Sequence, residues 1–397
     1  MKNWGRKKIV DISTVFEDGD WIESKDQSAE GIRLIQTGNV GNGIFKDRGE
    51  KARYILEDTF KRLRCTEIFE GDCLISRLPD PVGRACILPD TGEKMITAVD
   101  CTIIRFDQKQ LISNWFLYYS LSNEYQNEIQ KQVTGATRQR ISRKNLGLVF
   151  VPLPPLPEQQ RIVSILDQAF ASIANAKANA EQNHKNAKEL FESYLQGVFE
   201  NGKWETKKLN EITEVKDGTH DSPKYIKEGI PFVTQKNIKP DGLSFDDTKF
   251  ITDKDHEKFY KRSNVTYGDI LISMIGANRG MAAIVDDKRV FSIKNVGLIK
   301  SSDNINMNYL LYYLKSSIAM KYVLYMSNGG AQEFVGLTAL RSFPIPLPPL
   351  NVQQTIVRKL DALRAETQKL EAVYQKKIID LEELKKSILQ KAFSGAL

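Results

Sequence analysis

The chain has 397 residues, 57 Lys+Arg against 50 Asp+Glu for a net charge of +7, 41% hydrophobic and 27% charged residues. That length calls for two or more domains, and the composition is ordinary for a soluble globular protein. No apolar run approaches the ~20 residues that span a bilayer, and Met1–Lys8 lacks the apolar core of a leader, so a cytoplasmic protein without a membrane partner is expected; the mild basic excess permits a polyanionic partner without requiring one.

Taken in chain order, the first region is strand-rich. Short apolar runs at Cys73-Leu74-Ile75-Ser76 and Thr102-Ile103-Ile104-Arg105 lie between turn signals, and a helix is expected from Trp115 to Glu128. The four cysteines, Cys65, Cys73, Cys86 and Cys101, show no C-x-x-C spacing and no pairing with His184, His220 or His256, so buried thiols are expected, not a metal site or a disulfide framework. A proline run, Pro152-Leu153-Pro154-Pro155-Leu156, then opens a stretch free of Gly and Pro from 158 to 196, which reads as a long helix entered through proline. A second strand-rich region follows, with Asp269-Ile270-Leu271-Ile272-Ser273, Val296-Gly297-Leu298-Ile299 and a helix from Tyr309 to Val323. A second long helix comes after Pro346-Leu347-Pro348-Pro349-Leu350.

This order is an internal repeat. Residues 152–199 match 346–393 at a constant shift of 194, with 19 identities in 48 positions and no gap. Gly71-Asp72-x-Leu74-Ile75-Ser76 recurs as Gly268-Asp269-x-Leu271-Ile272-Ser273, and Asn114-x-x-Leu117-Tyr118-Tyr119 as Asn308-x-x-Leu311-Tyr312-Tyr313. Asp72 and Asp269 read as turn residues, because no second acidic residue recurs beside them to complete a metal site. The boundaries drawn are 1–151 for the first head, 152–202 for its helix, 203–345 for the second head and 346–397 for its helix.

Both helices carry apolar residues at alternating steps of four and three. The first seam runs Ile162, Leu166, Ala169, Ile173 and on to Leu190 and Tyr194; the second runs Ile356, Leu360, Leu363, Thr367, Leu370 and on to Leu384, Ile388 and Lys391. Sustained patterning of this kind predicts a coiled coil. A seam rich in Ala facing one rich in Leu and Tyr predicts that the two helices pack antiparallel on each other, not each on its own head. At 1.5 Å per residue such a rod is ~60 Å long, a spacer that would hold two reading heads one to two DNA turns apart.

The loops between strands carry residues that reach base edges well, Arg to guanine and Asn to adenine. Arg77 to Arg84 corresponds to Met274 to Gly280, Gln36-Thr37-Gly38-Asn39 to Thr234-Gln235-Lys236-Asn237, and Gly135 to Arg140 to Gly329 to Glu333. The loop Asp217-Gly218-Thr219-His220-Asp221-Ser222-Pro223 has no evident match in the first head. The candidate DNA contacts are Gln36, Asn39, Arg77, Arg84, Arg138 and Arg140 in the first head, and Thr219, His220, Lys236, Asn237, Asn278, Arg279 and Gln332 in the second.

Two heads, each closed by P-L-P-P-L-x-x-Q-Q-x-I-V and a long helix, resemble the specificity subunit of a type I restriction–modification system. The G-D-x-L-I-S…G-x-x-G-x-A segment and the loop from Asp217 to Tyr225 are also similar to that family's target recognition domains. The resemblance covers the whole chain. It implies an α+β fold of two strand-rich target recognition domains joined by two long helices in an antiparallel coiled coil, with a pseudo-twofold internal repeat. It further implies double-stranded DNA as partner, each head reading half of a split asymmetric site. The helices would dock two methyltransferase subunits, with a motor–nuclease subunit joining for cleavage. The chain itself would hold no catalytic residue, cofactor or metal. Pro157-Glu158 is replaced by Asn351-Val352 and Gly197 by Lys391, so equivalence of the two docking faces does not follow.

Two other classes stand beside this reading. A DNA-modifying enzyme would need an Asn/Asp-Pro-Pro-aromatic motif with a G-x-G-x-x-G cofactor loop, or a P-loop for a motor, and none is present; the enzyme alternative therefore requires an unrecognised site. A scaffold joining two proteins would need no Arg- and Asn-bearing loops between strands.

Overall fold

A computed structural model gives the structure and describes residues 4–135, 139–276, 278–326 and 334–397. The chain divides into two compact units, Met1–Ala180 with Lys376–Leu397, and Glu181–Gln375. Each unit therefore holds one head and a stretch of both long helices. No helix among the described residues is long and apolar enough to cross a membrane.

The first head is built on a four-stranded antiparallel sheet in the order Ser13–Asp18, Cys101–Phe106, Cys73–Ser76, Ala85–Ile87. Cys73–Ser76 is buried along its whole length, which is why it reads as an uninterrupted apolar run instead of an alternating one. A second sheet sets Arg53–Ile55, Ile32–Ile35 and Met95–Thr97 side by side, the last pair parallel. Gly5–Lys8 pairs with Phe150–Leu153 and ties the start of the head to its end.

The second head repeats these three sheets and adds a two-stranded one, Ile238–Lys239 with Gly242–Leu243. Val215–Asp217, Val296–Ile299, Ile270–Ser273 and Ala282–Ile284 form the four-stranded sheet. Lys249–Ile251, Ile230–Val233 and Ser292–Ile293 form the three-stranded one, and Thr206–Lys208 pairs with Pro344–Pro346. Even the buried ion pair recurs. Asp72 accepts from Arg105 at 2.7 and 3.0 Å and from the Phe69 amide, as Asp269 accepts from Lys300 at 2.6 Å and from the Thr266 amide. Both aspartates thus close the turn that enters the central strand.

The single helices expected at 115–128 and 309–323 are each two helices. Ser113–Ser120 is followed by Asn123–Gln132, and Met307–Lys315 by Ser317–Met326. Serine causes the break both times: Ser122 Oγ accepts the Tyr125 amide at 3.2 Å and Ser316 Oγ the Ala319 amide at 3.3 Å, which starts a new helix instead of continuing the old one. The four cysteines are buried and unpaired; burial pushes the Cys86 thiol up to about 12 and that of Cys101 to about 11, so both stay protonated.

The long helices run from Leu156 to Asn201 and from Leu350 to Phe393. They pair antiparallel in each unit. In the first, Arg161 reaches the Leu397 carbonyl and Lys177 pairs with Glu382; in the second, Lys188 lies 4.0 Å from Glu371. The seams were expected to choose each other over the heads, but they bury against both. Ile162 and Leu166 share one core with Leu389, Ala392 and Phe393 and with Trp115 and Phe116 of the head; Leu195 and Phe199 share another with Val357, Leu360 and Tyr309.

The 4,3 stepping also drifts. Leu190, Tyr194, Leu370 and Leu384 are exposed, while Leu195, Phe199 and Ala392 take buried places. A helix that does not fully supercoil turns 3.6 residues per turn, so a strict seven-residue repeat slips ~20° per heptad and the seam moves on by one residue after about five heptads.

The repeated proline–glutamine motif now has a physical cause. Gln159 accepts the Ile112 amide and donates to the Pro154 and Gln110 carbonyls. Gln353 accepts the Asn306 amide and donates to the Pro348 carbonyl. Both side chains are fully buried, and each satisfies backbone groups of the proline corner and of the head at once. Tyr312 donates to Asp361 at 2.6 Å, as Tyr118 does to Asp167, which fixes each head on its helix.

Candidate nucleic-acid interface

At the end of the first strand of the second head's four-stranded sheet, Val215–Asp217, the chain runs on through Asp217-Gly218-Thr219-His220. Asp217 pairs with Gly297 in the ladder and is buried. Arg262 grips its carboxylate through three contacts of 2.7 to 2.9 Å, and His220 Nε2 donates to it at 3.1 Å. His220 Nδ1 lies 2.7 Å from Asn295 Oδ1. A Cβ at Gly218 would stand 2.5 Å from the Ile293 carbonyl oxygen, so only glycine lets the two backbones approach this closely.

The same device exists in the first head, where sequence matching did not find it. Asp18 pairs with Thr102, the ladder position of Gly297. Gly19 follows, and a Cβ there would stand 2.4 Å from the Thr97 and Ala98 carbonyl oxygens. Gly19 donates to the Cys101 carbonyl as Gly218 does to Val296. Trp21 then occupies the place of His220 and is 71% exposed. The signal was two residues long, Asp-Gly at the end of a strand, too short to register without the ladder.

The expected contact residues separate into two groups. Arg84 is buried, and its guanidinium donates to the carbonyls of Val40, Leu78, Pro81 and Thr37 at 2.6 to 3.2 Å; it fastens its own loop and is turned away from solvent. Arg77 is buried as well, donating to the Val99 carbonyl at 2.6 Å and lying 3.4 Å from Asp18. Asn39 accepts the Gln36 amide and donates to the Lys46 carbonyl, and Asn237 accepts the Thr234 amide and donates to the Ser244 carbonyl. Both amides are consumed by their own loops, and Thr219 is buried with its hydroxyl accepting the Asp221 amide. These five side chains are buried and bonded within their own head. Arg140, His220, Lys236 and Asn278 are exposed, and Gln36 and Arg279 half-buried. Arg138 and Gln332 lie outside the described residues.

Of the exposed candidates of the second head, Lys236 lines a groove of 860 Å³, together with Lys239, Lys249, Lys294, Gln235 and Tyr225 and with the carboxylates of Asp246 and Asp247. Lys249 stands 4.3 Å over the Tyr225 ring. Beside it lies a smaller, mainly apolar pocket of 220 Å³ walled by Met274, Phe334, Val335 and Leu337, with Asp217 and His220 also in its lining and Ile275 and Asn295 common to both. Four ammonium groups along a groove are a sequence-independent anchor for phosphates. Among the described residues no three His, Cys, Asp or Glu side chains gather as a metal set would.

The model of the type I restriction modification DNA specificity domain matches residues 1–182 and 201–379, one copy per head. Across its whole length the chain is 24% identical to the putative type I restriction enzyme MjaX specificity subunit of Methanocaldococcus jannaschii, covering 94% of that protein. It is 25% identical to the type I restriction enzyme EcoBI specificity subunit of Escherichia coli, over 73% of this chain and 67% of that one. Its fold is similar to the crystal structure of the HsdS subunit from Thermoanaerobacter tengcongensis, with a TM-score of 0.67 at 18% identity over 100% of this chain and 98% of that chain. A chain from a study of complex assembly and conformational transition of the type I R-M system superposes with a TM-score of 0.77 at 18% identity, over 100% and 99% of the two. With one family match on each of two copies of the same framework, this chain belongs to the type I restriction modification DNA specificity family.

Proposed function

We propose that this chain supplies the DNA specificity of a type I restriction–modification assembly, each head reading one half of a split site. The observation that carries the reading is the contrast within the repeat. Strands, glycines and buried ion pairs recur position for position, while the side chains at the loop surface differ. A pair of identical binding heads would have no reason to differ there, and a scaffold would have no use for a lysine-lined groove.

The chemistry belongs to partners in this reading. Two methyltransferase subunits dock on the paired helices, a motor–nuclease subunit joins for cleavage, and the chain itself catalyses nothing. The exposed apolar residues on the helices support docking: Leu190, Tyr194, Leu370 and Val373 in the second unit, Ile379 and Leu384 in the first. Residues 1–151 and 203–345 are taken as the exchangeable heads.

The test is a head exchange with adenine methylation mapped in cells. Replacing residues 1–151 by the head of another such chain changes one half of the methylated motif and leaves the other. If both halves change, or neither does, the modular reading is wrong.

A further inference from the structure

At one point of the shared framework the two heads carry opposite chemistry, and in the second head that point is the pocket of Met274, Phe334 and Leu337. The equivalence is fixed by backbone hydrogen bonds: the Ile141 amide donates to the Arg77 carbonyl at 3.2 Å, and the Val335 amide to the Met274 carbonyl at 2.8 Å. Each is followed by a five-residue helix, Arg143–Gly147 in the first head and Leu337–Arg341 in the second. Arg77, Arg140 and Arg143 therefore stand where the second head has Met274, Phe334 and Leu337. Three guanidiniums replace three apolar side chains.

Resting on the DNA reading above, we infer that this position selects one base pair in each half-site. Arg140 and Arg143 take the major-groove edge of a guanine in the first, and the Met274–Phe334–Leu337 pocket takes the methyl group of a thymine in the second. The distances favour a base over a phosphate for the arginines. Arg143 lies 3.8 Å from Asp18 and Arg140 3.7 Å from Asp100. Both arginines are about half exposed, so these loose pairs leave donors facing outward. A phosphate entering here would meet two carboxylates, whereas the O6 and N7 acceptors of guanine are neutral and match the guanidinium fork. Arg77, being buried, positions Asp18 and touches no base.

The pocket of the second head argues the other way. Its walls are mainly apolar, and the polar groups that share it, Asp217, His220 and Asn295, already hydrogen-bond to one another, so a polar base edge would be desolvated there with little compensation, while a methyl group gains by entering. It opens beside the lysine groove through the shared Ile275 and Asn295, and phosphate contacts along that groove would set a base pair against it.

The experiment selects duplexes from a randomised library with the full chain, tagged and purified with the subunits it assembles with in its own cells. Wild type selects a split motif with a guanine in one half and a thymine in the other. Arg140→Ala with Arg143→Ala loses about tenfold of the preference for that guanine and leaves the second half intact, which also reports that the protein is folded. Arg140→Lys with Arg143→Lys keeps the charge without the fork and loses the same preference at nearly full affinity. Replacing the thymine by deoxyuridine removes only the methyl; it weakens wild type several-fold and leaves Phe334→Ala indifferent. If the arginine variants keep the guanine, or bind every sequence equally more weakly with a shallower salt dependence, the arginines hold phosphate and the inference fails while the DNA reading stands. If wild type selects no motif, the DNA reading itself fails.

Discussion

The two heads differ most where they are most accessible. At the framework, the pairs are the same or do the same thing: Gly19 and Gly218, Asp72–Arg105 and Asp269–Lys300, Gln159 and Gln353. Trp115 donates to the Pro152 carbonyl, and Tyr309 to that of Pro346. Each of these satisfies a buried backbone group or fills a fixed volume, so few other residues serve. At the loop surface the pairs are unlike: Trp21 and His220, Arg140 and Phe334, Arg143 and Leu337. A side chain there answers to its partner and not to the fold. One backbone thus carries two surfaces, which a chain reading two unlike half-sites requires.

If that contrast is right, framework changes act equally in both heads and surface changes act in one. The largest effect is expected in the core: Trp115→Ala and Tyr309→Ala each cost about 3–5 kcal/mol of stability, read by urea unfolding, and a large inequality between them would break the comparison. Arg84→Ala strips donors from four loop carbonyls and costs about 1.5–3 kcal/mol; hydrogen exchange should quicken around residues 78–84 and stay unchanged in the second head, because Met281, its counterpart there, makes no such bonds. Gln159→Ala and Gln353→Ala leave buried amides and carbonyls unmet and cost about 1–3 kcal/mol each, again equally, by the same unfolding measurement. The smallest effects belong to the groove. Lys236→Ala and Lys249→Ala each lower the slope of log affinity against log salt by about 1, with the recognised motif unchanged; a changed motif would move those lysines from phosphates to bases.

Much of this architecture was legible before any coordinates. The helix pair follows from 39 consecutive residues, 158–196, without Gly or Pro, and from a repeated seam, because helical periodicity is a local property. The exposed surface was harder. Arg84, Asn39 and Asn237 have the right chemistry for DNA, and all three are consumed within their own head; two of the four carbonyls that Arg84 meets, those of Val40 and Thr37, lie 44 and 47 residues away. The equivalence of Asp18 with Asp217 was hidden for a related reason, since the two residues match through cross-strand partners 84 and 80 positions distant.

The sequence by itself determined that there are two copies of one unit, that each ends in a long helix, and that proline and glutamine open that helix, because repetition and periodicity are written along the chain. Only the tertiary structure decided which polar side chains face outward, that the helix seams bury against the heads as well as each other, and that three arginines of one head stand where the other has Met274, Phe334 and Leu337. Those facts come from hydrogen bonds and contacts between distant segments, and no linear pattern encodes which partner a side chain meets.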